Sequence, residues 1–242
     1  MSTVDRLKTG AIKLGLELTS GQLEQFHLFY QELVDWNRRM NLTAITDYEE
    51  VQVKHFLDSL TVTLAIGPPE SGRGYRVIDV GTGAGLPGIP LKIIWPEIRL
   101  VLLDATARKA KFLYHLKEKL GLDDTEIVVG RAEEIAHQKE YRDKFDVVLS
   151  RGVARLPTLI ELTLPFCTVG GCLIAHRKGD AESEIARAGK AISTLGGNLR
   201  ELKSVTLNDF TDDRYLLVID KIAPTPEKYP RRPGMPAKRP LV

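Results

Sequence analysis

Val77-Ile-Asp-Val-Gly-Thr-Gly-Ala-Gly-Leu-Pro-Gly88 passes from a short apolar run into a glycine-rich turn and out into a helical pattern. A strand, such a turn and a helix in succession let bare backbone approach a ligand at the mouth of the helix. Gly83, Gly85 and Gly88 satisfy G-x-G-x-x-G, a spacing that on its own leaves a nicotinamide dinucleotide open beside other ribose-bearing cofactors. Asp79 stands just before Gly81. Asp104 closes the next apolar run, Val101-Leu-Leu-Asp104, where a carboxylate can accept hydrogen bonds from a ribose diol. Ala132-Glu133 follows a third run and is placed to line an adenine pocket, although Glu133 also reads as a plain helix-start carboxylate. Ligands of open sheets bind beyond the carboxyl ends of the strands, so the three loops are expected to converge on one crevice.

Working outward, Val77–Val80, Leu100–Leu103, Ile127–Val129, Phe145–Leu149 and Cys172–Ala175 read as strands covered on both faces. Helical patterns at Leu86–Ile94, Ala107–Leu120, Leu156–Phe166 and Ala181–Leu195 separate them, which implies right-handed crossovers and a doubly wound, Rossmann-like α/β sheet. Leu199–Thr206 and Arg214–Ile222 have no helix between them and should pair antiparallel at one edge. Upstream, Leu23, Phe26, Phe29, Tyr30, Leu33 and Val34 form the stripe of an amphipathic helix over Ser20–Trp36, and a second helix is expected over Tyr48–Leu64. The resulting division is a helical extension over 1–66, a cofactor-binding domain over 67–223 entered through the Gly67–Gly74 connector, and a basic proline-rich tail over 224–242 packed on or near the domain.

A hydrophobic content of 43% beside 27% charged residues is that of a folded chain, not a disordered one. From Glu227 onward five basic residues (Lys228, Arg231, Arg232, Lys238, Arg239) face one acidic residue. With an overall formal charge of only +2, the body before the tail is slightly acidic, so anion binding is expected to be local. The N-terminus lacks a signal-peptide pattern, and no run approaches the roughly 20 apolar residues of a membrane span, so a cytoplasmic protein without membrane contact is expected. Cys167 and Cys172, around a Gly-Gly turn, lack the spacing or histidine partners of a zinc site and read as buried thiols; no metal is expected.

Several motifs together resemble the bacterial ribosomal small-subunit methyltransferase G family, also known as glucose-inhibited division protein B. They are Trp36-Asn37, Met40-Asn-Leu-Thr-Ala44, His55-Phe-Leu-Asp-Ser-Leu60, Asp79 through Leu91, Ser150-Arg-Gly-Val-Ala154 and Tyr229 through Leu241. The resemblance runs end to end and implies a class I methyltransferase that uses S-adenosyl-L-methionine, releases S-adenosyl-L-homocysteine and methylates N7 of a guanine in 16S rRNA. By family pattern Gly81, Leu86, Asp104, Ala105, Thr106, Ala132, Glu133 and Arg151 contact the cofactor, with Leu86 standing where the family often has phenylalanine.

The residues suit that chemistry. Guanine N7 is an exposed acceptor that attacks without losing a proton, so no acid or base is required. The two cysteines are not placed for a thiolate mechanism, and Ser150-Arg151 stands where an amino-group methyltransferase carries its Asp/Asn-Pro-Pro-aromatic motif. Positioning is expected from Arg151 and from Asn41, which alternatively reads as a helix cap. His55 and Asp58 are expected to brace the helices against the sheet. For the RNA, or a 30S particle bound by a monomer, the expected contacts are Arg38, Arg39, Lys178, Arg231, Arg232, Lys238 and Arg239. The alternatives are a nicotinamide-dependent oxidoreductase, a small-molecule methyltransferase and a non-enzymatic ribosome-binding protein.

Overall fold

A computed structural model describes residues 5–70, 74–152, 154–207 and 209–242. The middle of the expected connector and Val153 of the Ser150–Ala154 motif lie outside the described residues. The chain opens with α1 (Arg6–Lys13), which the sequence reading did not anticipate and which Asp5 caps by accepting from the Lys8 N–H at 3.0 Å. α2 (Ser20–Met40) carries the expected stripe and starts on a capping box, Thr19 and Gln22 each accepting from the other's main-chain N–H. The second expected helix is one helical run that changes pitch, through α3 (Tyr48–Val51), a π-helical turn (Gln52–Leu57), α4 (Asp58–Leu60) and a 3-10 turn (Thr61–Leu64).

The remainder alternates strand and helix: β1 (Arg76–Val80), α5 (Gly88–Ile94), β2 (Arg99–Asp104), α6 (Ala107–Leu120), β3 (Thr125–Val129), α7 (Ala132–Ile135), β4 (Phe145–Arg151), α8 (Leu156–Thr163), β5 (Cys167–Lys178), α9 (Ala181–Thr194), β6 (Gly197–Ser204), β7 (Arg214–Lys221) and α10 (Met235–Lys238). Among the described residues the strands form one seven-stranded sheet in the order β3-β2-β1-β4-β5-β7-β6. β1 to β5 are parallel; β7 runs antiparallel to both β5 and β6, so the expected edge pair forms with the later strand on the inside. That reversed insertion departs from the 3-2-1-4-5-6 order of dinucleotide-binding sheets.

Neighbouring residues of one strand feed opposite cores. Val77, Leu100, Leu102 and Val147 join Phe26, Phe29, Phe56 and Leu60 on one face, whereas Ile78, Val101, Leu103 and Val148 join Leu159, Ile160 and Phe166 on the other. The extension therefore shares a core with the sheet. Gly170-Gly171, read above as a turn, lies inside β5 at a register irregularity opposite Phe145/Val147. A Cβ on Gly171 would stand 2.5 Å from the Asp146 carbonyl oxygen, so the glycine is there for close strand approach. Cys167 and Cys172 are free and buried. Residues after Ala223 return along the sheet's second face, where Arg142 donates to the carbonyls of Thr225 and Tyr229 at 2.9 and 2.8 Å.

Candidate active site

A crevice opens where β1, β2 and β3 end. Gly81 and Gly83 hold φ of 74° and 60°, which glycine adopts without steric cost. A Cβ on Gly83 would meet nothing nearer than 4.0 Å, leaving its bare backbone against open space. A Cβ on Gly88 would stand 2.9 Å from Leu102 Cδ2 and 3.1 Å from Asp79 Oδ2, so this glycine lets α5 close on the sheet. Asp79 is fully buried. Its Oδ2 accepts from the Thr82 hydroxyl at 2.7 Å and the Gly88 N–H at 2.9 Å, while Oδ1 has no partner among the described residues. Burial pushes its pKa up to about 6, against the pull of those hydrogen bonds and of Arg151.

Asp104 is held by main chain: Oδ2 accepts from the Gly83 N–H at 3.0 Å and Oδ1 from the Thr106 N–H at 2.9 Å. Each oxygen keeps a second lone pair for a ligand hydroxyl. Gly81, Asp104, Ala105, Ala132 and Glu133 line a space of about 160 Å³, joined by Arg131 and by Leu162 of α8, to which the sequence did not point. The loop thus offers bare backbone, a fixed diol acceptor and an acidic far wall, a donor set that fits an adenosine-bearing cofactor.

Three expected contacts, Leu86, Thr106 and Arg151, do not line this space. Leu86 is buried in the core and does not line the crevice. Thr106 serves through its main-chain N–H on Asp104, and its side chain makes no capping bond to α6. Arg151 donates to Asp58 Oδ2 at 3.0 Å and lines a second cleft of about 460 Å³ beyond β4 and β5, together with Arg155, His176, Lys178 and Tyr215. Arg214, opening β7, donates to the other Asp58 oxygen at 2.5 Å. Burial alone would raise the Asp58 carboxyl, but the guanidinium groups of Arg151 and Arg214 packed on it, the latter also hydrogen-bonded to it, help hold it below its ordinary value. Burial also lowers His176, whose Nε2 lies 2.9 Å from the Asp58 carbonyl oxygen, and lowers His55 to about 4. Both rings are neutral at pH 7. Neutral His55 faces the Thr43 hydroxyl at 2.7 Å within the N-terminal helical region, whereas Asp58, through Arg151 and Arg214, joins that region to the sheet. Arg214 and His176 were missed because nothing local in the sequence marks a strand residue that faces a helix far upstream.

Asn41 is the exposed, left-handed C-cap of α2 (φ 51°), and this end of α2 meets α6, where Arg108 donates to the Arg39 carbonyl. Arg38 and Arg39 are largely exposed; both pair with Asp35, and Arg39 also lies over the Trp36 ring at 5.4 Å. Lys178 pairs with Asp212 at the surface at 2.6 Å. Arg232, Lys238 and Arg239 are exposed. Arg231 is engaged internally instead: its guanidinium forks onto the fully buried Glu161 at 2.8 and 2.6 Å, so its charge is neutralised within the molecule.

The profile of the family described as rRNA small subunit methyltransferase G matches residues 22–214. Among similar proteins is one from Dehalococcoides mccartyi named ribosomal RNA small subunit methyltransferase G, 50% identical over 99% of this chain and all of that protein. Another with the same name, from Pelotomaculum thermopropionicum, is 46% identical over 98% of each. Among solved structures, precorrin-6y C5,15-methyltransferase from Geobacter metallireducens superposes with a TM-score of 0.52 at 15% identity, over 68% of this chain and 88% of that one. At that identity the likeness shows the fold alone.

Proposed function

The chain belongs to the rRNA small subunit methyltransferase G family, and from that premise we propose that it transfers a methyl group from S-adenosyl-L-methionine to N7 of a guanine in 16S rRNA. The observation that carries this reading is the juxtaposition of two clefts along one edge of the sheet: a glycine-walled crevice with a fixed acceptor at Asp104, and a larger cationic cleft on the far side of β1. Asp104 would hold the ribose, Gly81 and Gly83 the amino-acid arm, and Ala105, Ala132 and Glu133 the adenine. When bound, the cofactor supplies an electrophilic methyl group on a sulfonium.

The protein's own share is placement. Arg151 lines the larger cleft, its charge felt by Asp79 and its guanidinium fixed by Asp58, and would orient the acceptor base; exposed Arg155 and Lys178 line the same cleft and would meet flanking phosphates. Because N7 loses no proton, the neutral His55 and His176 need not act as bases, and holding the reactants at attack geometry is worth about 7–11 kcal/mol. Arg38, Arg39, Arg232, Lys238 and Arg239 would add phosphate contacts, and Asn41 would sit at the base-side rim. Arg231 is left out of that surface because Glu161 already holds it. In this reading the extension (1–66) and tail (224–242) frame the catalytic body (67–223), and the protein works as a cytoplasmic monomer on 16S rRNA or a 30S particle. Among the described residues no helix is long and apolar enough to cross a membrane.

Mass spectrometry of 16S rRNA fragments from cells with and without this gene tests the assignment. Loss of one 7-methylguanosine, restored by the wild-type gene and not by Asp104→Ala, is the expected result. Unchanged modification would withdraw the substrate assignment.

A further inference from the structure

The C-terminal tail touches the candidate cofactor crevice directly. The Gly234 N–H donates to Glu133 Oε1 at 3.0 Å, and Glu133 is a crevice wall. Burial would raise the Glu133 carboxyl, yet the Gly234 N–H, its own N–H and Arg131 outweigh that and hold it low, so it stands as a carboxylate fixed in part by the tail. The tail also grips α8, the helix that supplies Leu162 to the same wall. The Arg231 guanidinium and main-chain N–H both bind Glu161, and Thr158 donates to the Pro236 carbonyl at 3.0 Å. A fully buried carboxylate met by a three-bond fork is an expensive anchor to break. Flanking it, Arg232, Lys238 and Arg239 remain exposed.

We propose that the tail is a latch on the cofactor crevice: Gly234 and Arg231 are positioning residues that fix Glu133 and α8 for the adenosine end of the cofactor, and a bound cofactor in turn holds the basic tail in place for RNA. The latch rests on the function proposed above. Coupling of this kind is reciprocal, the cofactor stabilising the closed tail by the factor through which the closed tail tightens the cofactor.

The test is calorimetric titration of S-adenosylhomocysteine into the full wild-type chain and into the full chain carrying Arg231→Ala with Glu161→Gln, which opens the anchor without leaving a buried charge unpaired. The expected result is a loss of affinity on the order of 10-fold, with cooperative thermal unfolding retained and, in turnover, a raised KM for S-adenosylmethionine at nearly unchanged kcat. Affinity within about twofold of wild type overturns the latch and leaves the methyltransferase reading intact; no binding to the wild-type chain overturns both. A second measurement needs no variant. Saturating S-adenosylhomocysteine should slow tryptic cleavage after Lys228, Arg231 and Lys238 by several-fold, and an unchanged cleavage rate overturns the latch even if the double variant fails to fold.

Discussion

Asp79 and His55 pull the pH dependence of stability in opposite directions. Burial lowers His55 to about 4, so the fold prefers its neutral ring. Its contribution is therefore complete above the unfolded value near 6.5 and is lost as pH falls toward 4. Asp79 is raised to about 6, so the fold prefers its protonated form. That contribution is complete below about 3.8 and is lost as pH rises through 6. Each shift corresponds to about 3 kcal/mol over its whole window. Urea denaturation of His55→Leu, Asp79→Asn and wild type at pH 7.5 and 4.5 separates them. His55→Leu should lose about 2–3 kcal/mol less than wild type on acidification, whereas Asp79→Asn should lose more than wild type by a comparable amount. Parallel pH profiles for the three proteins would rule out both assignments. At this scale Asp104 was readable from its place at the end of β2, whereas Glu133, at the start of α7, read equally as a plain helix-start carboxylate. The sequence was silent on Asp79 Oδ1, since an orphaned oxygen is a property of what surrounds it.

Between elements, the reversed β7 is the joint on which the second cleft depends. It delivers Arg214 to Asp58 of α4, and β4 delivers Arg151 to the same carboxylate, so three elements from distant parts of the chain meet on one charge. Arg214 and Asp58 are 4% and 6% exposed, and removing one member of such a pair strands the other out of water. Arg214→Leu should cost about 3–5 kcal/mol by denaturant unfolding. Asp58→Leu with Arg214→Leu should cost clearly less than the sum of the single changes, and strict additivity would show that the pair carries no coupling. The strands and principal helices were legible because a doubly covered sheet demands continuous apolar runs, and the β6–β7 pairing followed from the missing helix between them. Their spatial order was not legible. Which of two antiparallel strands lies inside is decided by packing against α9 and β5, and α1 was missed because eight residues with only Leu7, Gly10 and Ala11 buried give too short a pattern.

Across the whole molecule, the basic side chains proposed to meet RNA are exposed at the end of α2, where Arg38 and Arg39 share Asp35, and in the tail, where Arg232, Lys238 and Arg239 stand. Each phosphate contact to a single strand contributes about 0.7 to the slope of log affinity against log salt. For a 16S rRNA hairpin, Arg232→Gln with Lys238→Gln and Arg239→Gln should lower that slope by about 2 with thermal stability unchanged. A slope equal to wild type would remove the tail from the RNA surface. The sequence reading grouped Arg231 with these residues because charge runs do not reveal a buried acid seventy residues upstream, at Glu161. The span between Asp58 and Arg214 also has a bearing on biosynthesis. The two residues are 156 positions apart, and ribosomes add about 5–20 residues per second, so a nascent chain carries its α4 carboxylate for about 10–30 s before its guanidinium partner is made. Throughout that interval the cleft that Asp58 and Arg214 line together lacks the strand that closes it, so that part of the molecule is finished only when β7 emerges.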